Sequence, residues 1–173
     1  MIRPLLRAAG LSLVEILVAM GILAILGVIA FAGYRQYIPR AELTACLGNL
    51  RSLHAGFSAY IQDKLHWPQQ PEDESSGKVL LEEWWIAELK PYGIPEKTWT
   101  CPAIRRTGAS LSGEMPRIHY MPGDFDERPF APYEFSKQPW FIEIASPHPE
   151  GANICFPDGS IHSMDSLLNK KRN

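Results

Sequence analysis

Three cysteines in 173 residues are too few for a disulfide scaffold, and the odd count leaves at least one thiol unpaired within a monomer. A basic excess is missing too. Seventeen Lys and Arg stand against 19 Asp and Glu, for a formal net charge of −2, which argues against nucleic acid as a partner. No P-loop, dinucleotide fingerprint or nucleophile motif occurs, and the histidines follow no zinc spacing such as H-E-x-x-H or paired C-x-x-C. The chain therefore reads as a non-enzyme, with no cofactor expected. Apolar content of 46% and charged content of 21% are near the soluble average, so the chain is neither disordered nor a multispan membrane protein.

What is present is unevenly spread. Residues 11–33 form one apolar run whose only charge is Glu15. As a helix rising about 1.5 Å per residue, the run is long enough to cross about 30 Å of hydrocarbon. Arg3 and Arg7 precede it with no acid among the first ten residues, which places the N-terminus in the cytoplasm and everything after Gly33 on the far side. An ionised side chain at a bilayer centre costs roughly 2.5–3.5 kcal/mol, so Glu15 is expected to have a partner that neutralises it.

Three readings of this segment compete. A secretory signal peptide is one: Ala30-Phe31-Ala32 before Gly33 has the small-x-small shape of a cleavage site, and a cut after Ala32 would release a Sec-exported soluble binding protein. The run is longer than the usual h-region of about 7–15 residues, however, and Glu15 sits inside it. A plain uncleaved anchor explains the length but not the carboxylate. The third reading comes from Gly10-Leu11-Ser12-Leu13-Val14-Glu15-Ile16-Leu17-Val18-Ala19-Met20, which resembles the opening signature of the type IV prepilins and type II secretion pseudopilins.

That resemblance implies a leader removed by a prepilin peptidase between Gly10 and Leu11, and methylation of the new Leu11 amine. It also implies that Glu15 neutralises the amine of a neighbouring subunit. A carboxylate and an ammonium about 4 Å apart at an effective dielectric of about 20 attract by about 4 kcal/mol, comparable with the cost of burying Glu15. Leu11 stands where the family usually has phenylalanine. The partners implied are other subunits of the filament, the peptidase, an inner-membrane assembly platform, and lipid before assembly.

Past Gly33 the apolar period continues. Tyr34, Tyr37, Ile38, Ala41, Cys46, Leu47, Leu50, Leu53, Phe57, Tyr60 and Ile61 recur at three- and four-residue steps, which predicts an amphipathic helix to about Gln62 with a kink at Pro39. Gly21, Gly27 and Gly33 permit either close helix packing or local unwinding. A second helix is expected over residues 79–89, stopped by Pro91-Tyr92-Gly93, with Trp84 and Trp85 in the core. From Cys101-Pro102 the chain should be irregular and too rich in proline for central strands, with short strands at 118–121 and 140–144. Residues 153–156 and 160–164 flank Pro157-Asp158-Gly159 and read as a hairpin. The fold expected is α+β and pilin-like: leader 1–10, membrane and assembly helix 11–33, stem 34–62, and a small head 63–173 carrying a short antiparallel sheet.

The head carries a second resemblance. His148, nine residues, then Asp158-Gly159 is similar to the C-terminal signature of a prepilin-type group from planctomycete- and verrucomicrobia-like bacteria. Cys46-Leu47-Gly48-Asn49-Leu50-Arg51, Tyr60 with Asp63, Trp85 through Leu89 to Tyr92, and Cys101-Pro102 resemble the same group. His148, Asp158 and His162 suggest a metal or acid–base cluster, the basis of a rival membrane-anchored enzyme. Their spacing favours structural use instead, with Asp158 and Gly159 in the turn and His148 hydrogen-bonded nearby. Calcium at Asp158 would draw on Glu150 and Asp165, but calcium wants six to eight oxygens, so no metal is expected. Cys46 and Cys101 are the best disulfide pair if the head lies in an oxidising compartment, and Cys155 suits a buried free thiol.

Overall fold

A computed structural model of the chain describes residues 12–70, 78–108, 116–145 and 147–170. The first element, α1, runs over Leu13–Lys64 and continues through Gly21, Gly27, Gly33 and Pro39 as helix. The glycines do not unwind it, and at Pro39 the missing N–H removes one intrahelical bond without ending it. The chain divides into two compact units at this proline, Met1–Ile38 and Pro39–Asn173. Residues 39–64 thus belong to the same compact unit as the head.

In the N-terminal unit the side chains of Leu13, Leu17, Leu23 and Val28 are 66–79% exposed, and large apolar residues are bare on every side of the helix. The segment is long and apolar enough to cross a membrane. A helix that is hydrophobic all round is stable only in apolar surroundings, whether lipid or other helices.

The C-terminal unit is built on the amphipathic half of α1. Cys46, Leu50, Leu53, Phe57, Tyr60 and Ile61 form its inward stripe. Against them lie Trp85, Ile86 and Leu89 of α2 (Lys78–Leu89), then Ile94 from the link between the two 3-10 turns that follow and Trp99 from the second of them. Phe57 is the hub, its ring 4.8 Å from that of Trp67, 5.7 Å from Trp85, 6.0 Å from Trp99 and 4.7 Å from Phe141. At Gly56 a β-carbon would strike the Ile94 side chain and lie 3.2 Å from the Tyr92 carbonyl, so glycine lets the turn after α2 close onto α1. Trp85 is fully buried and Trp84 half-buried, both at the core.

The sheet is a four-stranded antiparallel meander: β1 Tyr120–Pro122, β2 Phe141–Glu143, β3 Asn153–Cys155 and β4 Ile161–Ser163. The α+β layout expected from the sequence is therefore present, and the hairpin around Pro157-Asp158-Gly159 is the pair β3–β4. The proline in β1 sits on an edge strand, where a missing donor is tolerated. Two expectations need correction. The region after Cys101 opens with a helix, α3 (Pro102–Thr107), because Pro102 occupies the first turn, where its fixed φ suits helix, and Gly108 closes it at φ 63°. Met164 begins a helix rather than ending a strand: α5 spans Met164–Lys170, after the short α4 (Ala131–Glu134) earlier in the chain.

Candidate functional site

At the start of α1 the Glu15 N–H donates to Ser12 Oγ at 3.2 Å, and the Ser12 N–H donates to Glu15 Oε2 at 3.5 Å. This is a capping box, in which two orphan donors of a helix N-terminus are satisfied reciprocally. The sequence carries its signal, Ser-x-x-Glu before an apolar run. The carboxylate is exposed and turned back toward the helix start. Gly10 and Leu11, on either side of the expected scissile bond, lie outside the described residues.

In the head, Cys46 of α1 and Cys101 are joined by a disulfide, with their Cα atoms 5.2 Å apart. Cys155 is a buried free thiol on β3, and burial pushes its pKa up to about 12. Beside the disulfide lie two buried titratable groups that sequence reasoning did not bring together. His148 Nε2 is 3.7 Å from Cys101 Sγ and 3.5 Å from Glu143 Oε1. Glu143 comes from β2, where the period of two puts it on the inner face with Phe141. That spacing was the available signal for an inward carboxylate.

Glu143 Oε2 accepts from the Asn153 backbone N–H at 3.0 Å and from its side-chain amide at 2.9 Å, whereas Oε1 has no hydrogen-bond partner. Burial raises the Glu143 pKa to about 7, opposed by the two Asn153 bonds. Burial also lowers that of His148, so both groups are driven toward their neutral forms.

His148 and the other two members of the suggested histidine cluster face different places. Asp158 and His162 line an open hollow of about 660 Å³ with Phe156, Met164, Leu168 and Lys170. His148 lines a separate hollow of about 280 Å³ with Pro39, Arg40 and Asn153. Asp158 Oδ1 accepts from the Ser160 N–H at 2.9 Å, and that turn's hydrogen bonds hold the Asp158 carboxyl below the usual range. Glu150 and Asp165 meet at another turn, where the Asp165 N–H donates to the Glu150 carbonyl.

The turn itself is seated on α1. His54 stacks on Trp140 at 4.7 Å, and its Nε2 lies 2.9 Å from the Pro157 carbonyl oxygen. Gly159 has φ 77°, and a β-carbon there would lie 3.3 Å from His54 Cε1. Glycine is required twice over, by conformation and by the ring behind it.

Further contacts tie the head together. Asn49 donates to the Thr100 carbonyl at 3.0 Å, beside the disulfide. Tyr92 donates to Asp63 at 2.7 Å and packs edge-on against Tyr60 at 5.1 Å, tying the turn after α2 to the end of α1. Arg106 of α3 grips Glu42 of α1 with two hydrogen bonds, of 2.5 and 2.9 Å. Comparison with family models, with curated proteins and with solved structures finds no match to this chain.

Proposed function

We propose that the chain is a structural subunit of a type II secretion pseudopilus or a type IV pilus-like filament, assembled from the inner membrane after a prepilin peptidase removes residues 1–10. The observation that carries this reading is the bare apolar half of α1 with one carboxylate at its start. Such a helix needs apolar surroundings along its length. Lipid supplies them before assembly and the stems of other subunits supply them afterwards, so one surface serves both states. The N-terminus faces the cytoplasm and the head the periplasm, in keeping with Arg3 and Arg7 ahead of the span.

The Glu15 carboxylate, turned toward the helix start, would meet the amine of another subunit's Leu11. An attraction of about 4 kcal/mol at about 4 Å and a dielectric of about 20 would offset its burial. The disulfide, the Asp63–Tyr92 bond and the seated Asp158-Gly159 turn hold the head together while the stem changes surroundings. The work is assembly and mechanical support, with no step of catalysis.

Mass analysis of the mature N-terminus tests this. A start at Leu11, methylated or not, is expected. A start at Gly33 would replace the filament reading with a Sec-exported soluble protein, and an uncut Met1 would leave only an anchor.

A further inference from the structure

We infer that Cys46 and Cys101, when their disulfide is reduced, form with His148 and Glu143 a binding site for a divalent cation of the zinc class. The four side chains are buried, and one ligand atom from each lies within 4.8 Å of all the others. Two of the separations already match a zinc tetrahedron. Bonds of about 2.3 Å to sulfur and about 2.0–2.1 Å to nitrogen and oxygen give an S···N edge of about 3.6 Å and an N···O edge of about 3.3 Å. The Cys101 Sγ to His148 Nε2 distance is 3.7 Å and the His148 Nε2 to Glu143 Oε1 distance is 3.5 Å.

An independent observation points to a ligand at this place. Glu143 Oε1 is fully buried, without a hydrogen-bond partner, and faces His148. Its sister oxygen is held by two bonds from Asn153, the outer support that orients a metal-binding carboxylate. Two thiolates and an imidazole suit zinc and exclude calcium or magnesium as the natural occupant. The hollow lined by His148 and Asn153 gives the ion an approach.

The site is redox-gated. In the disulfide each sulfur spends its bonding electrons on the other, and neither is a thiolate. A phosphine reductant breaks the S–S bond with two electrons and becomes the phosphine oxide by taking oxygen from water, whose two protons go to the sulfurs. Zinc then displaces those two protons as it binds. The same dithiol exists in the chain before the disulfide first forms, so zinc can hold Cys46 and Cys101 side by side ahead of oxidation. No sequence spacing betrays the set, because its members come from α1, the loop before α3, β2 and the loop before β3. The inference stands apart from the filament reading.

The test uses the full chain in detergent, reduced with a phosphine or left oxidised, given zinc chloride alone and desalted. The reduced chain should retain about one zinc ion and the oxidised chain less than about a tenth of one. Cobalt in place of zinc should give the visible bands of a tetrahedral thiolate site, and zinc should raise the Tm of the reduced chain only. On the reduced background His148→Ala and Glu143→Gln should each weaken zinc at least about tenfold, read by competition with a chromophoric chelator, and Cys155→Ser should change nothing. Three results overturn the proposal: no zinc on the reduced chain, equal zinc on the oxidised chain, or unchanged affinity in His148→Ala. The last would mean that the thiols act alone, as they would in an unfolded chain.

Discussion

The two halves of α1 share one backbone conformation and have opposite fates. Residues 13–38 present Leu, Ile and Val on every side and bury none of them within their own unit. In residues 39–64 Cys46, Leu50, Leu53, Phe57 and Ile61 are fully buried while Arg40, Arg51 and Ser52 stay exposed. Helix formation is common to both, so the backbone does not set the difference. The polar residues do. Where they recur on one side they name the face that meets water, and the opposite stripe becomes a core. Where they are missing no face is preferred, and the helix must find apolar surroundings all round.

The largest break in this contrast should come at Phe57. Phe57→Ala removes the ring that four other aromatic rings share, and the head should lose about 3–5 kcal/mol, as large-to-small changes in well-packed cores do. The control lies in the other half of the same helix. Leu17→Ala or Leu26→Ala truncates an exposed side chain and should change head stability by less than about 0.5 kcal/mol. Urea unfolding of the full chain in detergent, followed by near-UV circular dichroism, reads both. Equal losses would mean that the halves are not independent units.

Gly159→Ala sharpens the contrast from the far end of the head. The substitution forces an L side chain to φ 77° and pushes its β-carbon against His54, and should cost about 1–3 kcal/mol. Because His54 belongs to the buried half of α1, the loss should shrink in a His54→Ala background, where only the backbone strain remains. A double-mutant cycle measures the coupling. Additive losses would show that the turn does not rest on the helix.

The long elements were legible because period alone defines them. The inward stripe of α1 and that of α2 each repeat one pattern over enough residues to be read, while the β3–β4 hairpin was marked by its Pro157-Asp158-Gly159 turn. The short helices α3 and α5 were not, because six or seven residues carry too little period and the proline at 102 reads equally as a loop residue or a first-turn residue. The head's buried polar cluster was half legible. Cys46, Cys101 and His148 stood out one by one, but Glu143 did not, since a carboxylate in a strand is ordinarily taken to face water. What joined them was tertiary approach across just over a hundred residues of chain, from Cys46 to His148, which no local spacing encodes. At the other end, Ser12 and Glu15 were both visible and their mutual capping was missed in favour of a longer-range role.

A smaller effect should separate the units by pH. Burial lifts the pKa of Cys155 to about 12 and, with the nearby Glu88, that of Tyr60 to about 12, both above their unfolded values. Below the unfolded pKa values both groups are protonated in either state and the stability is complete. As pH rises above them the unfolded chain sheds protons that the folded head keeps, and stability falls. Between pH 8 and pH 10 the head should lose on the order of 1 kcal/mol. The helicity of residues 13–38, which contain no such buried acid, should stay constant over that range. A head whose unfolding midpoint in urea is flat across this window would show that neither group is as shielded as its burial implies.

The smallest effect on stability carries the most information about assembly. Glu15 has one observed role and one proposed role, and they predict different things of two substitutions. As the partner of Ser12 in a capping box it needs only an acceptor at the end of a short side chain, and glutamine serves there as well as glutamate. As the counter-ion of another subunit's amine it needs the charge. Glu15→Gln keeps the shape and the acceptor and removes the charge, so it should leave the helix within a few tenths of a kcal/mol of wild type and still abolish incorporation into the filament. Glu15→Ala removes both and should be no worse for assembly than Glu15→Gln. Processing at residue 10, followed by mass, should be intact in each, so that failure to assemble is not failure to mature. If Glu15→Gln assembles normally while Glu15→Ala does not, the carboxylate is a cap and nothing more. The apolar half of α1 would then be placed among its neighbours by packing alone.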